Sequence, residues 1–157
     1  MTNWLDLTKI IPGLEKGQWL HVVNTPLKPL VDSLSENGFS VIVINGSEVV
    51  DSSSFFRQAK NVFGFPDYFG QNWAAWNDCL GDFELSIAQR TAIVWNDADK
   101  TFMADAKTFI LAAFDLYNMA LSAGSIKASS NNAETHQVEF LLVGNIEGFK
   151  NTLDFEK

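Results

Sequence analysis

One cysteine, Cys79, stands in the 157 residues, so no disulfide can close within the chain. That scarcity fits a reducing compartment, and a cytoplasmic location is expected. No apolar run approaches membrane-spanning length, which removes the membrane as an expected partner. The opening MTNWLDLTKIIPG has no basic patch leading into a long apolar stretch and does not read as a secretory signal. Histidine is nearly as scarce. His21 and His136 share no local motif, and both read as structural or surface residues rather than ligands or acid–base groups. HExxH, CxxC, GxGxxG, Walker and GxSxG patterns are all missing. Cys79 has only Asp78 and Asp82 as charged neighbours. Without a cation to lower its pKa it reads as a small buried hydrophobe, not a nucleophile. No catalytic residue, metal or cofactor is therefore expected, and the chain does not read as an enzyme.

Cations are also in short supply. Eleven Lys and Arg face 19 Asp and Glu, for a formal net charge of −8. Such a chain repels phosphate backbones, so direct nucleic-acid binding is not expected. The same charge draws in basic proteins, although acidity alone also serves solubility.

What is present is a globular composition. Hydrophobic residues make up 46% and charged residues 19%, and the length suits one domain with a real core. Thirteen Phe and five Trp must largely fill that core, leaving a few for a contact surface.

Along the chain, strands and helices alternate. Residues 18–23 read as a strand, and a helix follows Pro26 with Leu27, Leu30, Val31 and Leu34 at helical spacing. Gly38 ends it. FSVIVIN (39–45), apolar on both faces, suggests the middle of a covered parallel sheet. After the Asn45-Gly46 turn, Asp51 or a following serine caps the helix FFRQAKNVF, which Gly64 and Pro66 stop. A short helix over about 72–80 comes next, with Gly81 just past its end. TAIVW (91–95) is a strand, about 103–122 is the longest helix, closed by Gly124, and VEFLLVG (138–144) is the last strand. The order predicts an α/β fold with a short, mainly parallel sheet of about four strands and helices packed on it. It is read as one domain, 1–157: an N-terminal extension (1–38) adding a strand and helix, a core (39–144) and a tail (145–157).

The stretch FPDYFGQNWAAWNDCL (65–80) carries the strongest local signal. Trp73, Trp76 and Leu80 share a helical face suited to the core, while Ala74 and Asp78 share another. Asp67, Tyr68 and Phe69 precede Gly70. Between Lys60 and Arg90 every charged residue is acidic: Asp67, Asp78, Asp82 and Glu84. If the helix ends near 80, Asp78 lies against the negative pole of its dipole, and Asp82 repeats the conflict. An ordinary solvated acidic face accounts for the charges. The conflict with helix design points instead to a partner-binding helix, because rule-breaking positions gather at functional sites.

Two blocks, VIVINGSEV (41–49) and FPDYFGQNW…A…DCL (65–80), with the helix between them and the later TAIVW and VEFLLVG strands, resemble the barstar family of intracellular ribonuclease inhibitors. The resemblance runs from about residue 40 to 144. It implies an α/β fold and a loop and helix that plug a basic ribonuclease site, with carboxylates standing where the phosphate would. On this resemblance Tyr68 matches an interface tyrosine, Gly70 and Asn72 the loop–helix junction, and Asp78 the dominant acidic anchor. Phe83 stands where the family has an interface tryptophan, and Phe69 replaces a tyrosine. Ala74 and Asn77 depart from an interface aspartate and tryptophan, and a further interface glutamate is expected near Asp115 to Leu116.

The expected contact set is therefore Tyr68, Phe69, Gly70, Asn72, Ala74, Ala75, Asn77, Asp78, Asp82 and Phe83. The expected partner is a basic ribonuclease, either barnase-like or a diverged nuclease toxin. The free protein is expected to be a monomer that acts as an antitoxin or immunity protein. The alternative is a binding module of the same fold whose partner is not a nuclease, a reading that Ala74 and Asn77 favour.

Overall fold

A computed structural model describes residues 4–11, 14, 20–23, 25–128 and 136–144. The tail expected at 145–157, and the first two residues of the strand expected at 18–23, lie outside these. Four strands, β1 (Leu20–Val23), β2 (Ser40–Asn45), β3 (Arg90–Asn96) and β4 (Gln137–Val143), form one sheet in the order β1-β4-β3-β2. Every neighbouring pair is parallel. Among the described residues five α-helices accompany them: α1 (Leu27–Glu36), α2 (Ser52–Phe63), α3 (Trp73–Leu85), α4 (Ala98–Ala104) and α5 (Ala106–Ala128).

Successive side chains of a strand point to opposite faces, and here both faces are covered. Ile93, Trp95, Phe140 and Leu142 enter the larger core with Phe55, Phe56, Trp76, Phe109 and Leu116 from α2, α3 and α5. Ala92, Val94, Leu141 and Val143 enter the second core with Leu30 and Leu34 of α1 and with Leu7 and Ile11 near the N-terminus. Described residues of the segment before β2 thus cover the face of the sheet that carries Ala92, Val94, Leu141 and Val143. This segment is also stitched to β4: the buried Gln137 side chain donates to the Leu5 carbonyl (2.8 Å) and accepts from the Leu5 amide (3.0 Å).

Four expectations about elements change. β2 is an edge strand rather than a central one. Its apolar residues are explained by helices on both of its faces, and the fully covered middle positions belong to β3 and β4. The single long helix expected from about 103 is two helices. Asp105 breaks the run and accepts the Thr108 amide (3.1 Å) and hydroxyl (2.9 Å) at the start of α5. Gly124 does not close that helix, which continues to Ala128. Gly81 likewise lies inside α3.

The start of α2 is as expected. Asp51 caps it, accepting the Ser54 amide at 2.8 Å, while the Ser54 hydroxyl faces back to the Asp51 amide at 3.1 Å. Bonds from the Ser54 amide, then from its hydroxyl, hold the Asp51 carboxyl below its ordinary pKa.

Candidate protein-binding surface

The site begins where α2 stops. Gly64 takes the left-handed conformation (φ 70°), and the amides of Gly64 and Phe65 both turn back to the Lys60 carbonyl. The chain then reverses, with the Phe69 amide bonded to the Pro66 carbonyl at 2.9 Å. Phe65 and Phe69 both turn inward, with ring centroids 5.1 Å apart. Tyr68, between the two in sequence, is left pointing outward at 80% exposure.

Phe69 was expected on the contact surface, and its place is a correction. It is only 6% exposed and packs on Phe56 and Phe65. Burying a ring of this size contributes about 1.5–3 kcal/mol, which outweighs holding it in water for a partner. Its effect on the surface is to fix the loop beneath Tyr68.

Asn72 ends the loop and caps α3, its Oδ1 accepting the Ala75 amide at 2.8 Å. Gly70 is where the loop closes on the helix. A Cβ there would stand 3.3 Å from Asn72 Nδ2 and 3.8 Å from the Ala75 Cβ, so a side chain at this position would require the capping Asn72 to give by a few tenths of an ångström. From this cap α3 runs 13 residues. Trp76 is fully buried, Leu80 and Cys79 nearly so, and Trp73 stacks on Phe55 (5.9 Å) and edges Phe56 (4.8 Å). At 100° per residue, Ala74, Asp78, Gly81 and Leu85 then form the opposite ridge, and all four are exposed.

The length of α3 corrects the argument made for Asp78. The helix does not end at 80, so Asp78 lies in its middle turn, where the dipole exerts little force. The conflict with the negative pole belongs to Asp82 and Glu84, in the last turn. Asp78 is exposed, and among the described residues neither its carboxylate nor that of Asp82 makes a hydrogen bond or ion pair. Asp67 differs. Lys60 reaches back from α2 to within 3.6 Å of it, so the loop is less negative than its own residues indicate.

Asn77 is exposed, while Ala75 and Phe83 are half-buried against the larger core. Asp115 does not join this face as a free acid. Its carboxylate accepts the Trp76 indole N–H at 2.9 Å and ties α3 to α5, and Leu116 beside it is fully buried. One surface residue escaped the sequence reading. Leu85, 78% exposed, extends the ridge that starts at Ala74, and the i, i+4, i+11 spacing reveals it once the helix is allowed to continue past Gly81.

Cys79 is 7% exposed, in line with its reading as a small buried hydrophobe. Burial, then the charges of Asp82 and Asp78, push its thiol pKa up. Among the described residues no cluster of His, Cys, Asp and Glu could hold a metal ion, and no helix is long and apolar enough to cross a membrane.

A family model described as Barstar (barnase inhibitor) matches residues 39–135. The match takes in β2, α2, α3, β3, α4 and α5 and leaves β1, α1 and β4 outside. No curated protein matches the chain.

Proposed function

This chain belongs to the barstar family, and from that premise we propose that it is a cytoplasmic, non-enzymatic inhibitor of a ribonuclease, acting as an antitoxin or immunity protein. The observation that carries the reading is the exposed ridge of α3. Asp78 stands there on a capped helix, its carboxylate with neither a hydrogen bond nor an ion pair within the described residues and with small Ala74 beside it. A site that binds RNA phosphates must present cations. A carboxylate held on a preformed helix can take the place of a phosphate oxygen without rearrangement of the inhibitor. Tyr68 supplies an aromatic contact at the rim, and the Gly70–Asn72 junction fixes the loop against the helix. Inhibition then follows from occupying the nuclease site, with no bond made or broken.

The test is a titration of this protein against a panel of barnase-fold ribonucleases, reading RNA cleavage, with Asp78→Ala in parallel. Stoichiometric inhibition is expected. Asp78→Ala should weaken it by about 2 kcal/mol or more, mainly through faster dissociation, because the opposing cations lose their buried partner. The variant should keep wild-type stability, since Asp78 supports no other group. Equal inhibition by a folded Asp78→Ala protein would remove Asp78 from the mechanism. No inhibition across the panel would favour the alternative, a binding module of this fold with a partner that is not a nuclease.

A further inference from the structure

Beside the Asp78 ridge, the ends of α2 and α3 enclose a solvent-open cavity of about 190 Å³. Its walls are aromatic: Phe63 and Phe65 stack at 5.5 Å, and Phe83 meets Phe63 edge-on at 5.2 Å. Asp82 and Ser86 stand at its mouth, and Cys79 lies at its inner wall.

The electrostatics of this cavity all have one sign. Phe63 and Gly64 are the last residue and the C-cap of α2, while Phe83 and Ser86 belong to the last turn and the C-cap of α3. Two helices therefore end here with their negative poles, each equivalent to roughly half an elementary charge. The Asp82 carboxylate adds a full charge, and among the described residues no Lys, Arg or His lines the cavity. Lys60, the cation nearest in sequence, is turned to Asp67. The thiol of Cys79 responds to the same field, since Asp82 and Asp78 add to the burial that pushes its pKa up. Aromatic walls under a negative mouth suit a delocalised cation, whose flat apolar surface can rest on ring edges while its N–H groups reach a carboxylate and helix carbonyls.

We propose that this cavity is a socket for an arginine side chain of the partner protein. The guanidinium would lie among Phe63, Phe65 and Phe83 and donate to Asp82 and to carbonyls at the helix ends. Asp78 and Asp82 are one turn apart on α3, so the socket is continuous with the acidic ridge, and one basic partner can engage both. The socket deepens the inhibitor reading, on which it relies only for the identity of the protein that supplies the arginine.

The experiment needs no nuclease. Amide chemical shifts of the isotopically labelled full chain are followed while N-acetyl-arginine amide is added at constant ionic strength. The uncharged N-acetyl-citrulline amide and N-acetyl-lysine amide are run as comparisons. Saturable shifts at Phe63, Phe65, Phe83 and Ser86 are expected with arginine amide, with lysine amide weaker and citrulline amide silent. Asp82→Asn, a change at an exposed position, should cut the arginine affinity about threefold, whereas Asp78→Asn should change it less. An absent response, an equal response to citrulline, or an unchanged affinity in Asp82→Asn would overturn the socket. Equal binding of lysine would overturn the assignment to a guanidinium. None of these outcomes depends on ribonuclease inhibition, which its own titration decides.

Discussion

Asp78 and Cys79 are adjacent in sequence and opposite in environment, because one helical step of 100° separates water from core. Asp78 is exposed, whereas Cys79 is nearly buried and faces the charges of two aspartates. The raised thiol pKa leaves Cys79 less thiolate at neutral pH than an unperturbed cysteine. Iodoacetamide should therefore label the native protein at least tenfold more slowly than the urea-unfolded chain at pH 7. The rate should climb with pH beyond the range in which a free cysteine has levelled off. Asp51 titrates in the other sense. Its folded pKa lies below the ordinary 3.8 because the Ser54 amide and hydroxyl bond the ionised form. The cap's contribution is thus complete above that value and disappears as pH falls through the lower, folded pKa. Urea unfolding of wild type and Asp51→Asn at a series of pH values should show the wild-type advantage shrinking with acidification through that range. A difference that grows in acid would contradict the assigned cap.

At the scale of elements, α3 is held by two devices at its N-terminal half: the Asn72 cap and the bond from the Trp76 indole to Asp115. Trp76 is wholly buried, so its N–H has no water to turn to if Asp115 is removed. Asp115→Ala should cost about 1–2 kcal/mol of stability, the charged part of the bond being moderated by solvent near a half-exposed carboxylate. Asp115→Asn, which keeps an acceptor, should cost less, and urea denaturation separates the two. Helix existence was legible from the spacing of Trp73, Trp76 and Leu80. Helix length was not. Gly81 resembles a C-terminal stop, but the contacts of Phe83 with Phe63 and the burial of Ile87 carry the helix past it. Asp105 gave the opposite error, since a residue that is acceptable within a helix here starts a new one.

Across the molecule, the net charge of −8 sets how a basic partner would arrive. Association with a ribonuclease inhibited by this chain should slow as ionic strength rises, while dissociation changes less, and stopped-flow mixing at several salt concentrations measures both. An association rate indifferent to salt would show that long-range steering plays no part. The N-terminal 38 residues also make sense only at this scale. Their sequence shows a strand and a helix, and in the fold Leu7, Ile11, Leu30 and Leu34 pack on the second face of the sheet. The larger part of the candidate surface was legible beforehand, because Tyr68, Asn72 and Asp78 are local in one loop and helix. Phe69, Asp115 and the arginine socket were not, since each depends on what α2 or α5 brings to α3.

Sequence alone determined the α/β class, the parallel crossovers, a capped helix start at Asp51 or a following serine and the acidic, aromatic character of residues 65–85, and its two quoted blocks carried the family resemblance. These follow from periodicity, capping chemistry and composition, which are properties of neighbouring residues. Tertiary structure alone decided which strand lies at the edge, where α3 ends, that Phe69 turns inward, that Lys60 answers Asp67 and that Asp115 answers Trp76. It also decided that two helix ends and Asp82 surround one cavity. Those outcomes depend on burial and charge between segments far apart in the chain, and no local pattern encodes which distant side chain will meet them.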